Sequence, residues 1–217
     1  MTIRYAFAVA LAASTALLAG CKSAGDLVVQ QNVGITALRS VCPAVGVPDH
    51  TGDVTVFTAP GATTADAIDV TALVTNVRST CNDSGDEVFS QATFDVLAQR
   101  RDTSGARTVT LPYFATVLRG GDAVVSKRVG AVTLQFADGQ SRAAASATAG
   151  AVVNRAEATL PADIRDRLER TRRAGDEDAA VDPLTTPEVR AAVARATFEL
   201  LIGFQLTDEQ LAYNVTR

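Results

Sequence analysis

Tryptophan is absent from this chain, and 217 residues hold one histidine, one methionine and three cysteines. Without tryptophan there is none of the broad ring platform on which sugar-binding sites usually rest. A single imidazole, His50, leaves a metal centre short of ligands. Positive charge is scarce too: 20 Lys and Arg stand against 24 Asp and Glu, for a net charge of −4. Nucleic acid requires a basic footprint, so no nucleic-acid partner is expected. The sequence also has no phosphate-cradling glycine loop, no dinucleotide fingerprint and no zinc spacing. It lacks the Gly-x-Ser-x-Gly nucleophile elbow as well. No catalytic residue and no cofactor are read from it.

Apolar residues are plentiful at 47%, with Ala and Val supplying much of that share. The most informative apolar stretch is the N-terminal one. Arg4 and the amino terminus form a short basic region, Ala6 to Leu18 an apolar one, and the small residues Ala19 and Gly20 precede Cys21. The uncharged run Tyr5 to Gly20 is 16 residues long, short of the ~20 that a membrane-spanning helix needs. This is the grammar of an export signal, but with a Cys where the mature chain would begin.

Leu18-Ala19-Gly20-Cys21 resembles the lipobox of bacterial lipoproteins. The resemblance covers about the first 21 residues and implies that Met1–Gly20 is removed by a dedicated peptidase. Cys21 would then carry a diacylglyceryl group on its sulfur and an acyl chain on its new amino terminus. Each buried CH₂ contributes roughly 0.8 kcal/mol, so three chains anchor firmly where one would be reversible. In that family an Asp after the Cys commonly retains the protein in the inner membrane. Lys22 stands there instead, which favours the outer membrane, facing the periplasm.

The mature chain, Cys21–Arg217, has 197 residues; with Arg4 gone, 19 basic face 24 acidic residues, a net charge of −5. That length suffices for one good core or two small ones. With Cys21 lipidated, Cys42 and Cys81 remain. An even pair in an oxidising compartment reads as a disulfide. The alternatives are two free buried thiols or a metal pair.

Along the chain, Ser23-Ala24-Gly25 reads as a tether, and Leu27 to Leu38 is apolar enough to be ordered, with Gly34 weakening any helix. Between Cys42 and Thr110 the pattern is β. Val54–Thr58 and Ile68–Val77 are rich in β-branched residues, and Val88–Arg100 alternates. Val88, Ala92, Phe94, Val96 and Ala98 share one face; Gln91, Thr93, Asp95 and Gln99 share the other. Asp102-Thr103-Ser104-Gly105 reads as a hairpin turn into Thr108–Leu118, where Val109, Leu111, Tyr113, Ala115 and Val117 point inward. Pro112 cannot donate to a ladder and suggests an edge or bulge. Gly120-Gly121-Asp122 and Asp138-Gly139 are further turns around Val124–Phe136. Ser141–Ala158 is rich in Ala, and a strand is favoured there over a helix.

After Pro161 the period changes. Pro161–Arg173 is a helix with Ile164 and Leu168 four apart and arginines around them. Gly175 to Asp182 is an acidic loop. A second helix starts at the Thr186 cap, with Pro187 at its first position. Its stripe is Val189, Val193, Ala196 and Leu200, flanked by Phe198 and Leu201, and Gly203 closes it. Thr207 to Gln210 match a capping box.

The expected fold is therefore α+β. An antiparallel β-sandwich over residues 42–158, similar in architecture to immunoglobulin-like or fibronectin-like sandwiches, follows a tether at 21–41. A helical segment at 159–217 packs on it. The Cys42–Cys81 bond would staple two strands.

Candidate sites are few. Asp49 or Asp53 could orient His50 as a base, but Pro48-Asp49-His50-Thr51-Gly52-Asp53 reads better as an exposed turn. Asp176, Glu177, Asp178 and Asp182 fit no calcium loop and read as solvated, as do Asp83, Asp86 and Glu87. The arginines of 165–173 could touch anionic headgroups, but Asp163, Asp166 and Glu169 among them favour a solvated face. The functional expectation is a non-catalytic structural, scaffold or accessory subunit with an envelope-protein partner. The alternative is a periplasmic small-molecule or cell-wall-binding module, with Tyr113, Phe114 or Tyr213 lining a pocket. A hydrolase around His50 ranks last.

Overall fold

The computed structural model describes residues 40–170, 172 and 175–216. The export signal, Cys21 and Leu27–Leu38 lie outside the described residues. The described residues make eight strands: β1 (Ala44–Gly46), β2 (Asp53–Phe57), β3 (Ile68–Asn82), β4 (Glu87–Arg100), β5 (Arg107–Arg119), β6 (Ala123–Phe136), β7 (Arg142–Asn154) and β8 (Phe198–Phe204). Three helices interrupt or follow them: α1 (Ala162–Glu169), α2 (Pro187–Ala196) and α3 (Asp208–Thr216).

The strands form two four-stranded sheets, β1-β8-β5-β6 and β2-β3-β4-β7. All pairs are antiparallel except β1 with β8. The α+β sandwich expected from the sequence is what the chain forms. Its core lies between the sheets and is built from alternate positions: Ala92, Phe94, Val96 and Ala98 of β4 face Leu111, Ala115 and Val117 of β5 and Val132, Leu134 and Phe136 of β6. The inner face of β7 is almost all alanine, and its Ala149, Ala151 and Val153 are buried. That stretch is a strand because it finds a partner in β4 along its whole length, which outweighs the helical preference of alanine.

Three local expectations are corrected. First, the second C-terminal helix does not run on to Leu200 and Gly203. It stops at Ala196, and Phe198–Phe204 becomes β8, inserted between β1 and β5. Phe198, Leu200, Ile202 and Phe204 are all buried, a period of two that fills the slot in the sheet. Ala196 and Leu200 also satisfy a helical spacing, so the sequence carried both patterns. Gly203 is not a helix stop; a Cβ there would lie 2.4 Å from Thr51 Oγ1, so the strand needs glycine for close approach.

Second, the turns at 101–106 and 137–141 do not close hairpins. β4 and β7 belong to one sheet and β5 and β6 to the other, so both links carry the chain across the sandwich. Third, Pro112 sits in an interior strand. It lies one residue beyond the end of the β5–β8 register, which stops at Tyr113 paired with Phe204. One further cross-strand bond follows, Gln205 N donating to the Pro112 carbonyl (2.9 Å), and the ladder stops there because proline has no N–H to return.

The disulfide is present, with Cα atoms 6.1 Å apart. Cys42 lies in a bend two residues before β1, so the bond ties the approach to one sheet to β3 of the other.

The helices follow the sequence more closely. Ile164 and Leu168 of α1 pack against Val189 and Ala192 of α2 in a small separate apolar cluster. The capping box of α3 forms in full: Gln210 N donates to Thr207 Oγ1 (3.2 Å), and Thr207 N donates to Gln210 Oε1 (3.0 Å). Asn214 pins this helix to β2, its amide donating to the carbonyls of His50 (2.8 Å) and Asp53 (2.9 Å).

Candidate interaction face

The residues singled out for chemistry do not converge. His50 is exposed in a left-handed turn (φ 63°), where its carbonyl serves as an anchor for α3. In the acidic loop, Asp178 pairs with Arg170 and Arg172, and Asp182 accepts from Leu184 N to cap a short 3₁₀ turn. Among the described residues no group of three or more His, Cys, Asp or Glu is placed to hold a metal. In the Asp83–Glu87 turn, the Asp83 carbonyl accepts from the Arg155 guanidinium. In the arginine helix, Arg167 faces Glu188 of α2 at 3.5 Å.

The three aromatics considered for a pocket point in three directions. Tyr113 turns inward, edge-on to Phe94 with centroids 5.2 Å apart. Phe114 lies on the opposite face of β5, under the Lys127 ammonium. Tyr213 packs edge-on against Phe57.

The structure instead assembles something on the outer face of the sheet β2-β3-β4-β7. Register places Leu73, Leu97 and Ala144 in one row across β3, β4 and β7. At the other end of the face Asn82, Phe89 and Val152 form another row. Leu73, Leu97, Phe89 and Val152 are all exposed. Between these apolar ends lies a polar centre. A β-bulge in β3 turns Asn76 into the left-handed region (φ 53°). Its amide donates to Asp95 Oδ2 (2.5 Å), while Ser146 Oγ donates to Asp95 Oδ1 (2.7 Å) and Arg78 Nε to Asn76 Oδ1 (3.0 Å). The bonds from Asn76 and Ser146, that from Asn76 first, hold the Asp95 carboxyl below the usual carboxylate range. They also tie β3, β4 and β7 together across this face. On β7 the outward residues between the apolar ends, Ala144, Ser146, Thr148 and Gly150, are all small.

One half of β6 adjoins this face. From Val132 on, β6 buries alternate residues in the core, but the stretch from Ala123 to Val129 is exposed on both sides. The change comes at Tyr113, whose ring lies across Gly130 and whose hydroxyl donates to the Thr148 carbonyl of β7 (3.0 Å). A Cβ on residue 130 would sit 2.5 Å from the ring, so only glycine lets the ring pass. Beyond this closure a groove of about 590 Å³ opens between Val125, Ser126 and Arg128 of β6 and Phe89, Gln91 and Val152 of the sheet. A second groove, about 760 Å³, lies over Leu73 and Leu97, rimmed by Asp53, Gln99 and Arg142.

Among the described residues ten large apolar side chains are exposed, and seven lie on this sheet face or on the free half of β6. The sequence held a signal for two of them. Phe89 and Leu97 fall on the polar side of the β4 alternation, where a solvated face would not place them. Such a surface offers area, edge hydrogen bonds and little acid–base chemistry. Compared with family models, with curated proteins and with solved structures, the chain matches none.

Proposed function

We propose that this chain is a non-catalytic lipoprotein, anchored through Cys21 to the outer membrane, that faces the periplasm. It serves there as a scaffold or accessory subunit, docking an envelope protein on the outer face of β3-β4-β7 and the adjoining half of β6. The observation that carries the docking surface is the clustering of seven exposed apolar side chains there. Isolated exposed apolar residues need no explanation, whereas Phe89, Val152 and Val125, which line one groove, form a group of the kind that marks an interaction site. The anchor and the compartment rest on Leu18-Ala19-Gly20-Cys21.

Two measurements test this reading. The intact mass of the membrane-extracted protein, beside Cys21→Ala, should correspond to residues 21–217 plus three acyl chains, less two hydrogens. An unlipidated product, or one retaining Met1–Gly20, would remove the anchor. In detergent-solubilised envelope the wild type should hold a stoichiometric partner that Leu97→Glu and Phe89→Glu release. A partner retained by both variants would remove the docking face.

A second reading, a periplasmic small-molecule or cell-wall-binding module, is favoured by the groove over Leu73 and Leu97. Its polar rim of Asp53, Gln99 and Arg142 has the composition of a ligand site. Saturable binding of a periplasmic metabolite or a muropeptide, abolished by Arg142→Ala, would favour it over docking.

A further inference from the structure

We infer that the free edge of β6, residues 123–129, accepts an extended partner segment as an added strand, and that this segment carries two adjacent acidic residues flanked by apolar ones. The inference rests on the docking role proposed above and names the chemistry of what docks.

Among the described residues β6 pairs with β5 alone, so its other edge has no partner there, and up to Val129 none of them covers either of its faces as core. An exposed strand edge is a template for another strand. Edges are usually blunted by charge, and Lys127 and Arg128 fit that device. The three exposed valines around them, Val124, Val125 and Val129, do not. Surrounding two cations with exposed β-branched residues makes an edge selective rather than inert.

The charge pattern sets the partner. The chain is acidic overall, yet two cations stand side by side on this edge. Among the described residues neither forms an ion pair: the described contact of Lys127 is with the Phe114 ring at 5.5 Å, and no carboxylate faces Arg128. Successive residues point to opposite sides of a strand. Lys127 and Val129 therefore share one side, and Arg128 and Ser126 the other, with Ser126 and Arg128 lining the 590 Å³ groove. An added strand meets both cations only if two consecutive residues are acidic. Its apolar residues then fall opposite Val129 and Val124–Val125. A second copy of this chain is a poor occupant, because antiparallel self-pairing over 123–129 sets Lys127 and Arg128 opposite Val125 and Val124 of the other copy and gives neither cation a carboxylate.

The test uses the full-length oxidised chain and two synthetic peptides, capped Thr-Val-Glu-Glu-Thr-Val-Thr and its Lys-Lys counterpart. Hydrogen exchange should slow at least tenfold across 123–129 with saturating acidic peptide and not with the basic one. The variant K127E/R128E should reverse that preference, and raising salt to 0.5 M should weaken binding by screening. Protection of another strand edge, equal binding of both peptides, or no binding would overturn the inference, leaving the cations as guards of the edge. The envelope capture separates this failure from that of the docking role. A partner lost with Leu97→Glu but kept by K127E/R128E overturns strand addition alone; a partner kept by both overturns the docking face as well.

Discussion

Replacing Arg100 is expected to loosen the end of the sandwich where both sheet-crossing links meet. Arg100 is only 2% exposed. Its Nε donates to the Gln140 carbonyl (2.8 Å), and its Nη2 reaches the carbonyls of Thr103 (2.9 Å), Gly105 (2.8 Å) and Ala137 (2.8 Å). Two of these acceptors belong to the 101–106 link and two to the 137–141 link, and the guanidinium also lies over the Phe136 ring at 5.2 Å. The links share further bonds, Gly139 N to Thr103 O and Gly105 N to Asp138 Oδ1.

The magnitude follows from what a substitution leaves behind. In Arg100→Met the stem volume stays, and the buried charge goes together with its desolvation cost. The carbonyls of Thr103 and Ala137 keep backbone donors from Gly139 and Gln140. Those of Gly105 and Gln140 lose the donor they have in Arg100, at about 1 kcal/mol each, because both residues are exposed and water replaces part of the bond. A net loss of about 2 kcal/mol is expected, a fall in Tm of roughly 4–8 °C for a chain of this size. Arg100→Lys should recover only part of it, because an ammonium on a flexible stem cannot reproduce the planar fork. Urea denaturation of the oxidised protein gives the free energy. Hydrogen exchange at Gly105, Gly139 and Gln140 shows whether the loss is local to the links. Arg100→Met within about 0.5 kcal/mol of wild type, with exchange at these amides unchanged, would refute the reasoning.

Three further outcomes can be measured on the same material. Breaking Cys42–Cys81, which closes a sequence separation of 39 residues, should cost about 4 kcal/mol on the chain-entropy model; an unfolding midpoint indifferent to reductant would contradict it. Gly130→Ala forces the Tyr113 ring aside at a cost of about 1–3 kcal/mol, and Tyr113→Phe, which loses the bond to Thr148, about 1 kcal/mol; exchange at the β6–β7 closure should rise in both, and unchanged rates would remove that role. Asp69 forms a two-pronged ion pair with Arg107, both contacts 2.6 Å, joining β3 of one sheet to β5 of the other. Hydrogen bonding to Arg107 holds the Asp69 carboxyl below its usual range. The pair's stabilisation is therefore present above the unfolded value of about 3.9 and lost as pH falls through the lower folded one. Asp69→Asn should be less stable than wild type by up to about 1 kcal/mol at pH 7, since the pair is partly exposed. That gap should close as pH falls below about 4, and a gap independent of pH would count against the ion pair.

How much of this was legible in the sequence depended on whether a local signal had one reading. The alternation of β4, the Ile164–Leu168 spacing and the capping box at Thr207 each had one, and each is realised. The Cys42–Cys81 bond followed from compartment and parity rather than from geometry. Phe198–Phe204 had two readings, because Ala196–Leu200 continues a helical stripe while Phe198, Leu200, Ile202 and Phe204 alternate. The slot between β1 and β5 decided it, and one wall of that slot comes from far away in the chain, Ala44 standing opposite Glu199. The links at 101–106 and 137–141 show the same limit. Asp-x-x-Gly and Asp-Gly specify a change of direction, but not whether the next strand joins the same sheet. Arg100 supplies that information through four carbonyls, and nothing in its own sequence neighbourhood announces it.

The interaction face was hidden for a different reason. Phe89 and Leu97 are out of phase with the polar side of β4, but out-of-phase residues in one strand do not reveal whether neighbours on other strands make them a patch. Leu73 and Val152 join them only through the registers of β3 and β7. In β6, Val124–Val129 has the same β-branched character as the buried Val132–Phe136, and a single strand does not show where its cover ends. That boundary is set by Tyr113, two strands away from β7, and by a glycine whose use is to let a ring pass. The same residues thus close the core on one side and leave the edge open on the other. A chain that needed only to bury β6 would gain by extending the alternating pattern to Ala123. Keeping Lys127 and Arg128 there instead, among three exposed valines, forgoes burial over half a strand, and a partner strand is the occupant that would recover it.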